Sequence, residues 1–125
     1  MNIYITKWFG RWARKEGVSE NSLCDAVAEM EKGLTDANLG GNLFKKRIAM
    51  TGRGKSGSFR TLVAYKSGDR SFFVYGFAKN VKDDIGDDEK HALKALAKEL
   101  LELDAPRIKR AIKAKELRKL ECGDG

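Results

Sequence analysis

The sequence predicts a single α+β domain: a small twisted antiparallel sheet with an N-terminal helical hairpin, C-terminal helices, and helices mainly on one face. Three observations favour this fold. Apolar residues recur at helical spacing in residues 1–34, a basic segment rich in β-branched and aromatic residues spans 42–82, and a leucine stripe runs through 87–121. The 125 residues suffice for one modest core without disulfides or a metal.

The first segment predicts a short strand over residues 2–6 and a helix over 7–16. One aromatic helix face is predicted by residues spaced i, i+1, i+4 and i+5: Trp8, Phe9, Trp12 and Ala13. Gly17 ends this helix, and Ser19 is the predicted cap of a second helix. The second helix is predicted by a stripe of four residues: Leu23, Val27, Met30 and Leu34.

The middle segment predicts three strands after a break at residues 39–42. In the first, over 43–50, alternation places Lys45 and Arg47 on one face and Lys46 on the other, with Phe44, Ile48 and Met50. The three glycines and two cations of residues 51–57 predict a flexible basic loop. Residues 58–65 and 71–77 then predict a hairpin.

The last segment predicts two helices. An acidic turn over residues 83–88 precedes the clearest apolar stripe of the chain: Leu93, Leu96, Ala97, Leu100 and Leu101. Asp104 and Pro106 predict the start of the fourth helix. Its pattern is weaker, because Leu117 lies about half a turn away from Ile108 at 3.6 residues per turn. The predicted order is β–α–α–β–β–β–α–α.

Positive charge is concentrated in one segment. Residues 42–82 carry a net charge of +9, whereas residues 1–41 and 83–125 each carry −1. The segment has one acid, Asp69, and ten cations: Lys45, Lys46, Arg47, Arg53, Lys55, Arg60, Lys66, Arg70, Lys79 and Lys82. A positive surface attracts polyanions, so nucleic acid is the predicted partner.

Several classes are disfavoured by composition. No apolar run approaches 18 residues, and the N-terminus has no signal-peptide core, so a cytoplasmic protein without a membrane partner is expected. We predict that Cys24 and Cys122 are reduced thiols, with a disulfide as the alternative. The cysteines and His91 are not spaced as metal ligands, and we expect neither a metal nor another cofactor.

Three motifs carry a family resemblance. They are LGGNLFKKRIA at residues 39–49, GKSGSFRT at 54–61 and FFVYGFAKN at 72–80, with the opening TKWF at 6–9. With them the chain resembles the RelE/ParE superfamily of bacterial toxins, on the HigB-like branch. The resemblance implies a ribosome-dependent mRNA endonuclease that cuts at the ribosomal A site. It also implies a cognate antitoxin of the helix-turn-helix type, in a complex that binds operator DNA.

The resemblance, together with the charge pattern, selects the candidate site residues. The predicted catalytic set is Lys45, Arg47, Arg60, Tyr75 and Lys79. The predicted RNA-binding set is Lys46, Arg53, Lys55 and Lys82. Arg60 is expected to bind a phosphate oxygen, and Lys79 to stabilise the leaving group. Tyr75 stands where HigB-like toxins often have histidine, so the general base is left open between a lysine and Tyr75.

Two other functions fit the same residues. A ParE-like toxin would inhibit DNA gyrase, with a basic surface that holds no catalytic set. A non-enzymatic nucleic-acid-binding module would depend on charge additively, so that no single residue would be essential. The clustering of Lys45, Arg47, Arg60 and Lys79 favours the nuclease.

Overall fold

The computed structural model describes residues 1–49, 58–79 and 84–123. These residues form six strands and four helices. In chain order they are β1 (Asn2–Thr6), α1 (Lys7–Glu16), α2 (Glu20–Glu31), β2 (Ala37–Gly40), β3 (Leu43–Ala49), β4 (Ser58–Lys66), β5 (Arg70–Ala78), α3 (Asp87–Leu101), α4 (Ala105–Lys113) and β6 (Leu117–Leu120).

The strands form one sheet in the order β2-β3-β4-β5-β1-β6. The predicted α+β class is confirmed, but the sheet is not wholly antiparallel, because β1 runs parallel to β5. A parallel pair needs a long connection, and the helices and strands between β1 and β5 supply one.

Helices cover both faces of the sheet, so the expectation of helices mainly on one face is wrong. One core joins α1 and α2 to β1, β3, β4 and β5, around Phe9, Leu23 and Phe73. The other packs α3 and α4 against the opposite face, around Leu62 and Phe72. The reason is visible in β4 and β5, where consecutive residues are buried, as in strands covered on both sides.

Local signals set the helix ends. The hydroxyl of Thr6 accepts a hydrogen bond from the Phe9 N–H, and Gly17 adopts the left-handed conformation that ends α1. The predicted caps Ser19 and Asp104 are confirmed. The second helix stops at Glu31, so Leu34 lies outside it and is 56% exposed.

The C-terminal helix expected to reach residue 121 is wrong in its last part. After α4 the chain turns at Lys115, whose φ of 63° is left-handed. It then forms β6, which pairs antiparallel with β1 and buries Leu117 and Leu120. The predicted break at residues 39–42 likewise contains part of an edge strand, β2, which pairs with β3.

The prediction of reduced thiols is also wrong. Cys24 of α2 and Cys122, just after β6, form a disulfide across 98 residues of sequence, with their Cα atoms 5.8 Å apart. The β1–β6 pairing brings the two together, since Leu120 packs into the same core as Leu23. An ion pair between Glu20 and Arg118, at 2.7 Å, joins the same two elements.

Candidate nucleic-acid interface

Four of the five predicted catalytic residues lie on one face of the sheet, the face that carries α3. Lys45 is paired in register with Leu62, which is paired with Tyr75. Arg47 is paired with Arg60 in the neighbouring row. Two adjacent cross-strand rows therefore bring cations from β3 and β4 beside the tyrosine of β5.

A β-bulge determines where Tyr75 lies. The β4–β5 register shifts between Leu62 and Val63, so that Phe73 pairs with Val63, Tyr75 pairs with Leu62, and Val74 is the additional residue. Phe73 packs in the α1–α2 core, whereas Tyr75 packs beside the α3 core. Without the extra residue, strand alternation would place Tyr75 on the same face as Phe73.

Lys46 lies on the opposite face from Lys45 and Arg47. Its side chain is buried, and its Nζ is 2.6 Å from Oε1 of Glu29 on α2. The alternation along β3 points it toward the helical hairpin, where a carboxylate compensates its charge. The structure therefore does not bring Lys46 to the surface shared by the other cations.

Two arginines face each other across β3 and β4. Arg47 is exposed, Arg60 is half-buried, and the two are directly opposite in register. The Nη1 of Arg60 donates a hydrogen bond to the hydroxyl of Ser58. No acidic side chain within the described ranges forms an ion pair with either guanidinium. Like charges in this arrangement repel each other, so the pair is suited to an anion placed between them.

Lys45 is held by an acidic residue just before α3. Its Nζ donates a 3.0 Å hydrogen bond to Oδ1 of Asp84, which also accepts from the N–H of Ile85. The hydrogen bond from Lys45, and then the one from Ile85, lower the pKa of Asp84. Lys45 therefore contributes a positive charge whose position is fixed by a neighbouring carboxylate.

Tyr75 is held from two sides. Its hydroxyl donates a 3.1 Å hydrogen bond to Oε2 of Glu89 in the first turn of α3. Its ring stacks on Trp8 of α1, with ring centroids 4.7 Å apart. Trp8 is 47% exposed, so the pair presents an aromatic surface beside the cations.

Sequence reasoning missed Trp8 and Glu89. The spacing favours core or helix-packing roles for Trp8, Phe9 and Trp12, with a partner surface as the alternative, and Phe9 and Trp12 do pack in the core. What exposes Trp8 is its place in the first turn of α1, beyond the end of β1, and the sequence carries no signal for that. Glu89 resembled any other acidic residue at a helix start, where negative charge is favourable.

Lys79 follows the last residue of β5 and is exposed. Its N–H donates to the carbonyl of Ser58 at 3.3 Å, which places it at the same end of the β4–β5 pair as Arg60. The remaining predicted RNA-binding residues, Arg53, Lys55 and Lys82, lie outside the described residues.

An apolar groove begins at the Trp8–Tyr75 pair. It has a volume of about 810 Å³ and runs between the start of α1, β5, α3, α4 and β6. Leu93, Leu96 and Leu100 of α3 form much of its wall.

Among the described residues no three His, Cys, Asp or Glu side chains are grouped as metal ligands, and no helix is long and apolar enough to span a membrane.

These features define a small α+β protein with a basic sheet face flanked by stacked aromatics. A family model described as the RelE toxin of the RelE/RelB toxin-antitoxin system matches residues 1–120. The chain therefore belongs to the RelE toxin family, which confirms the resemblance to the RelE/ParE superfamily and gives the protein a toxin role in a toxin-antitoxin system. The HigB-like branch stays a prediction. Toxins of this family pair with antitoxins. No curated protein matches the chain.

Proposed function

We propose that this toxin is a ribosome-dependent endoribonuclease that cleaves mRNA at the ribosomal A site and so inhibits translation. The observation that carries the proposal is the placement of Arg47, Arg60 and Tyr75 in two adjacent cross-strand rows of one sheet face. A ParE-like gyrase inhibitor needs no such grouping.

Cleavage of RNA by its own 2′-hydroxyl needs a base for that hydroxyl, charge stabilisation at the phosphorus, and a proton for the 5′-oxygen that leaves. The two opposed guanidinium groups suit the second task, because arginine binds two phosphate oxygens at once. Lys45 lies in the next row, where its ion pair with Asp84 offsets part of its positive charge.

Tyr75 is the candidate for proton transfer, because it is a titratable residue in the cross-strand row next to that of the two arginines. Glu89 orients the Tyr75 hydroxyl through the 3.1 Å hydrogen bond and is well placed to exchange a proton with it. Lys79, at the same strand end as Arg60, is assigned to the leaving oxygen. In this scheme His91, exposed on α3, takes no part.

The Trp8–Tyr75 stack supplies a surface for an RNA base. Aromatic side chains commonly hold unstacked bases in single-stranded RNA, which is the form of mRNA in a decoding site.

We further propose that the cognate antitoxin is of the helix-turn-helix type and that its complex with the toxin binds operator DNA.

The test is primer extension on a reporter mRNA in a purified translation reaction, with and without ribosomes. The wild type is compared with Arg60→Ala and Lys79→Ala, and with Lys32→Ala as a matched control, an exposed cation at the end of α2. We expect ribosome-dependent cuts within the translated frame that the two site variants lose and the control keeps. Intact mRNA with the wild type would refute the proposal, and gyrase supercoiling would be assayed next.

A further inference from the structure

A second cationic surface lies at the β1–β6 edge of the sheet, away from β3 and β4. It is a cleft of about 430 Å³ between α1 and the segment that joins α4 to β6. Among the residues that the structure describes, no acidic side chain lines it, whereas five cations do: Lys7, Arg11, Arg14, Lys115 and Arg118.

The net charges of the sequence segments do not predict this cationic cleft. Its cations come from residues 1–41 and 83–125, each of which carries a net charge of −1. Lys7, Arg11 and Arg14 are spaced i, i+4 and i+7, so they form one stripe on α1. The pairing of β6 with β1 then adds two cations from the other end of the chain.

Most of this charge is uncompensated. Arg118 is paired with Glu20 at 2.7 Å. The other four cations have no ion pair with any residue of the described chain. The four unpaired positive charges around one cleft repel each other, and an anionic ligand would relieve that repulsion.

The backbone conformation of Lys115 is a second, independent observation that favours a functional role for this cleft. Its φ of 63° lies in the left-handed region, at the position after a helix end where glycine is usual. The turn is closed by hydrogen bonds from the Lys115 N–H to the Ile112 carbonyl and from the Glu116 N–H to the Ala111 carbonyl. Lysine is unfavourable here, and strain of this kind is concentrated at functional positions.

We propose that this cleft is a second binding site for the phosphate backbone of RNA. The α1 stripe extends about 10 Å along the helix, which fits a linear polyanion better than a single anion. Apart from the cations, the described part of the lining is mainly aliphatic and contains no aromatic ring or side-chain amide, so it is suited to phosphates and not to base edges. The proposal rests on the proposed function only in taking RNA as the polyanion.

The test measures binding instead of cleavage. Anisotropy of a fluorescently labelled single-stranded RNA is titrated with protein over a range of salt concentrations. The cleft variant is Arg11→Gln, Arg14→Gln and Lys115→Gly together. The control variant, Lys15→Gln, Lys109→Gln and Lys113→Gln, removes the same charge from α1 and α4 outside the cleft. The sheet-face variant is Arg60→Gln.

We expect the cleft variant to lower the slope of log affinity against log salt by about 2, or about 0.7 for each of three lost phosphate contacts. The control should change it much less. Lys115→Gly alone should keep the fold, because glycine is favoured at that backbone angle, and should still lower the slope. Thermal melting of each variant checks the fold.

Each other outcome has a defined meaning. Equal losses in the cleft and control variants would show an unspecific charge effect and overturn the inference. An unchanged cleft variant beside a weakened Arg60→Gln would also overturn it, while leaving the sheet face in place. A weakened cleft variant beside an unchanged Arg60→Gln would support the cleft and count against the proposed function. Tighter binding of a polyglutamate peptide than of RNA would identify an acidic protein partner instead.

Discussion

The indole of Trp8 stacks on the phenol of Tyr75, with their ring planes 22° apart. The contact joins the start of α1 to β5, and it depends on the parallel β1–β5 pairing, which places Ile5 beside Phe73. On its other side the Tyr75 hydroxyl is bonded to Glu89 of α3. The tyrosine is therefore positioned by helices from both layers of the fold.

Removal of the exposed indole should impair RNA binding more than folding. We expect Trp8→Ala to weaken binding of single-stranded RNA about 10- to 100-fold, since one base–aromatic stack contributes about 1–3 kcal/mol. The free energy of unfolding should fall by about 0.5–1.5 kcal/mol from the lost aromatic pair. RNA anisotropy and urea unfolding measure the two effects. Leu34→Ala, another exposed apolar residue, is the control, and equal RNA affinity in both variants would count against the base platform.

Tyr75→Phe separates the hydroxyl from the stacking ring. We expect RNA affinity to be retained and single-turnover cleavage on the ribosome to slow by about 10²- to 10⁴-fold, the usual contribution of general acid–base catalysis. Glu89→Gln should slow cleavage less than Tyr75→Phe does, because the amide oxygen of glutamine can still accept the hydrogen bond from the Tyr75 hydroxyl. Cleavage by Tyr75→Phe at the wild-type rate would remove Tyr75 from the proton-transfer role.

Gly76 is required by the packing of Trp12. A Cβ at Gly76 would overlap with the six-membered ring of the Trp12 indole, so we expect Gly76→Ala to destabilise the fold by about 1–3 kcal/mol. Gly10→Ala is the control, because its Cβ would meet Ile5 at an ordinary 3.4 Å and alanine favours the helix. Urea unfolding compares them. Partial recovery in Gly76→Ala with Trp12→Leu would confirm the clash, and equal stability of the two single variants would refute it.

The parts of the fold that the sequence predicted are those with local causes. The caps at Ser19 and Asp104, the stop at Gly17 and the β4–β5 hairpin each depend on a few neighbouring residues. The edge strand β6 depends instead on a partner far along the chain. The pairing of β6 with β1 spans more than a hundred residues, and no local pattern in residues 117–120 excludes a helix.

In the candidate site, too, the features with local causes were predicted and those that depend on distant parts of the chain were not. Alternation along β3 was enough to place Lys45 and Arg47 together, and to separate Lys46 from them. Tyr75 reaches that face only because of the bulge at Val74, and no turn residue at that position predicts the bulge. The partners Glu89 and Trp8 come from helices on opposite faces of the sheet, and their approach is a product of the tertiary fold.

The Cys24–Cys122 disulfide should contribute strongly to stability. It links residues 98 positions apart. For a loop of that size, we expect removal of the bond to lower the free energy of unfolding by about 2–5 kcal/mol. We expect Cys24→Ser with Cys122→Ser to lower the urea midpoint, and a dithiol reductant to bring the wild type to the same midpoint. The double variant should not respond to the reductant. A wild type that is equally stable in oxidising and reducing buffer would contradict this prediction.

Tyr65 should make stability depend on alkaline pH. It is buried and donates a 2.9 Å hydrogen bond to Oε2 of Glu31 on α2. Burial, and also the hydrogen bond and charge of Glu31, raise the pKa of Tyr65 above its ordinary 10.0. A raised pKa means that the folded state favours the protonated phenol. Its contribution to stability is therefore complete below pH 10 and is lost as the pH rises through the folded-state value.

Tyr65→Phe removes both the titration and the hydrogen bond. Below pH 10 we expect the variant to be less stable than the wild type by about 1 kcal/mol, the usual contribution of one hydrogen bond. Above pH 10 the wild type should lose stability more steeply, so that the difference between the two shrinks. Urea unfolding at a series of pH values measures it, and the other tyrosines and the disulfide cancel because both proteins carry them. Parallel stability curves across that range would show that Tyr65 titrates alike in the folded and unfolded chains.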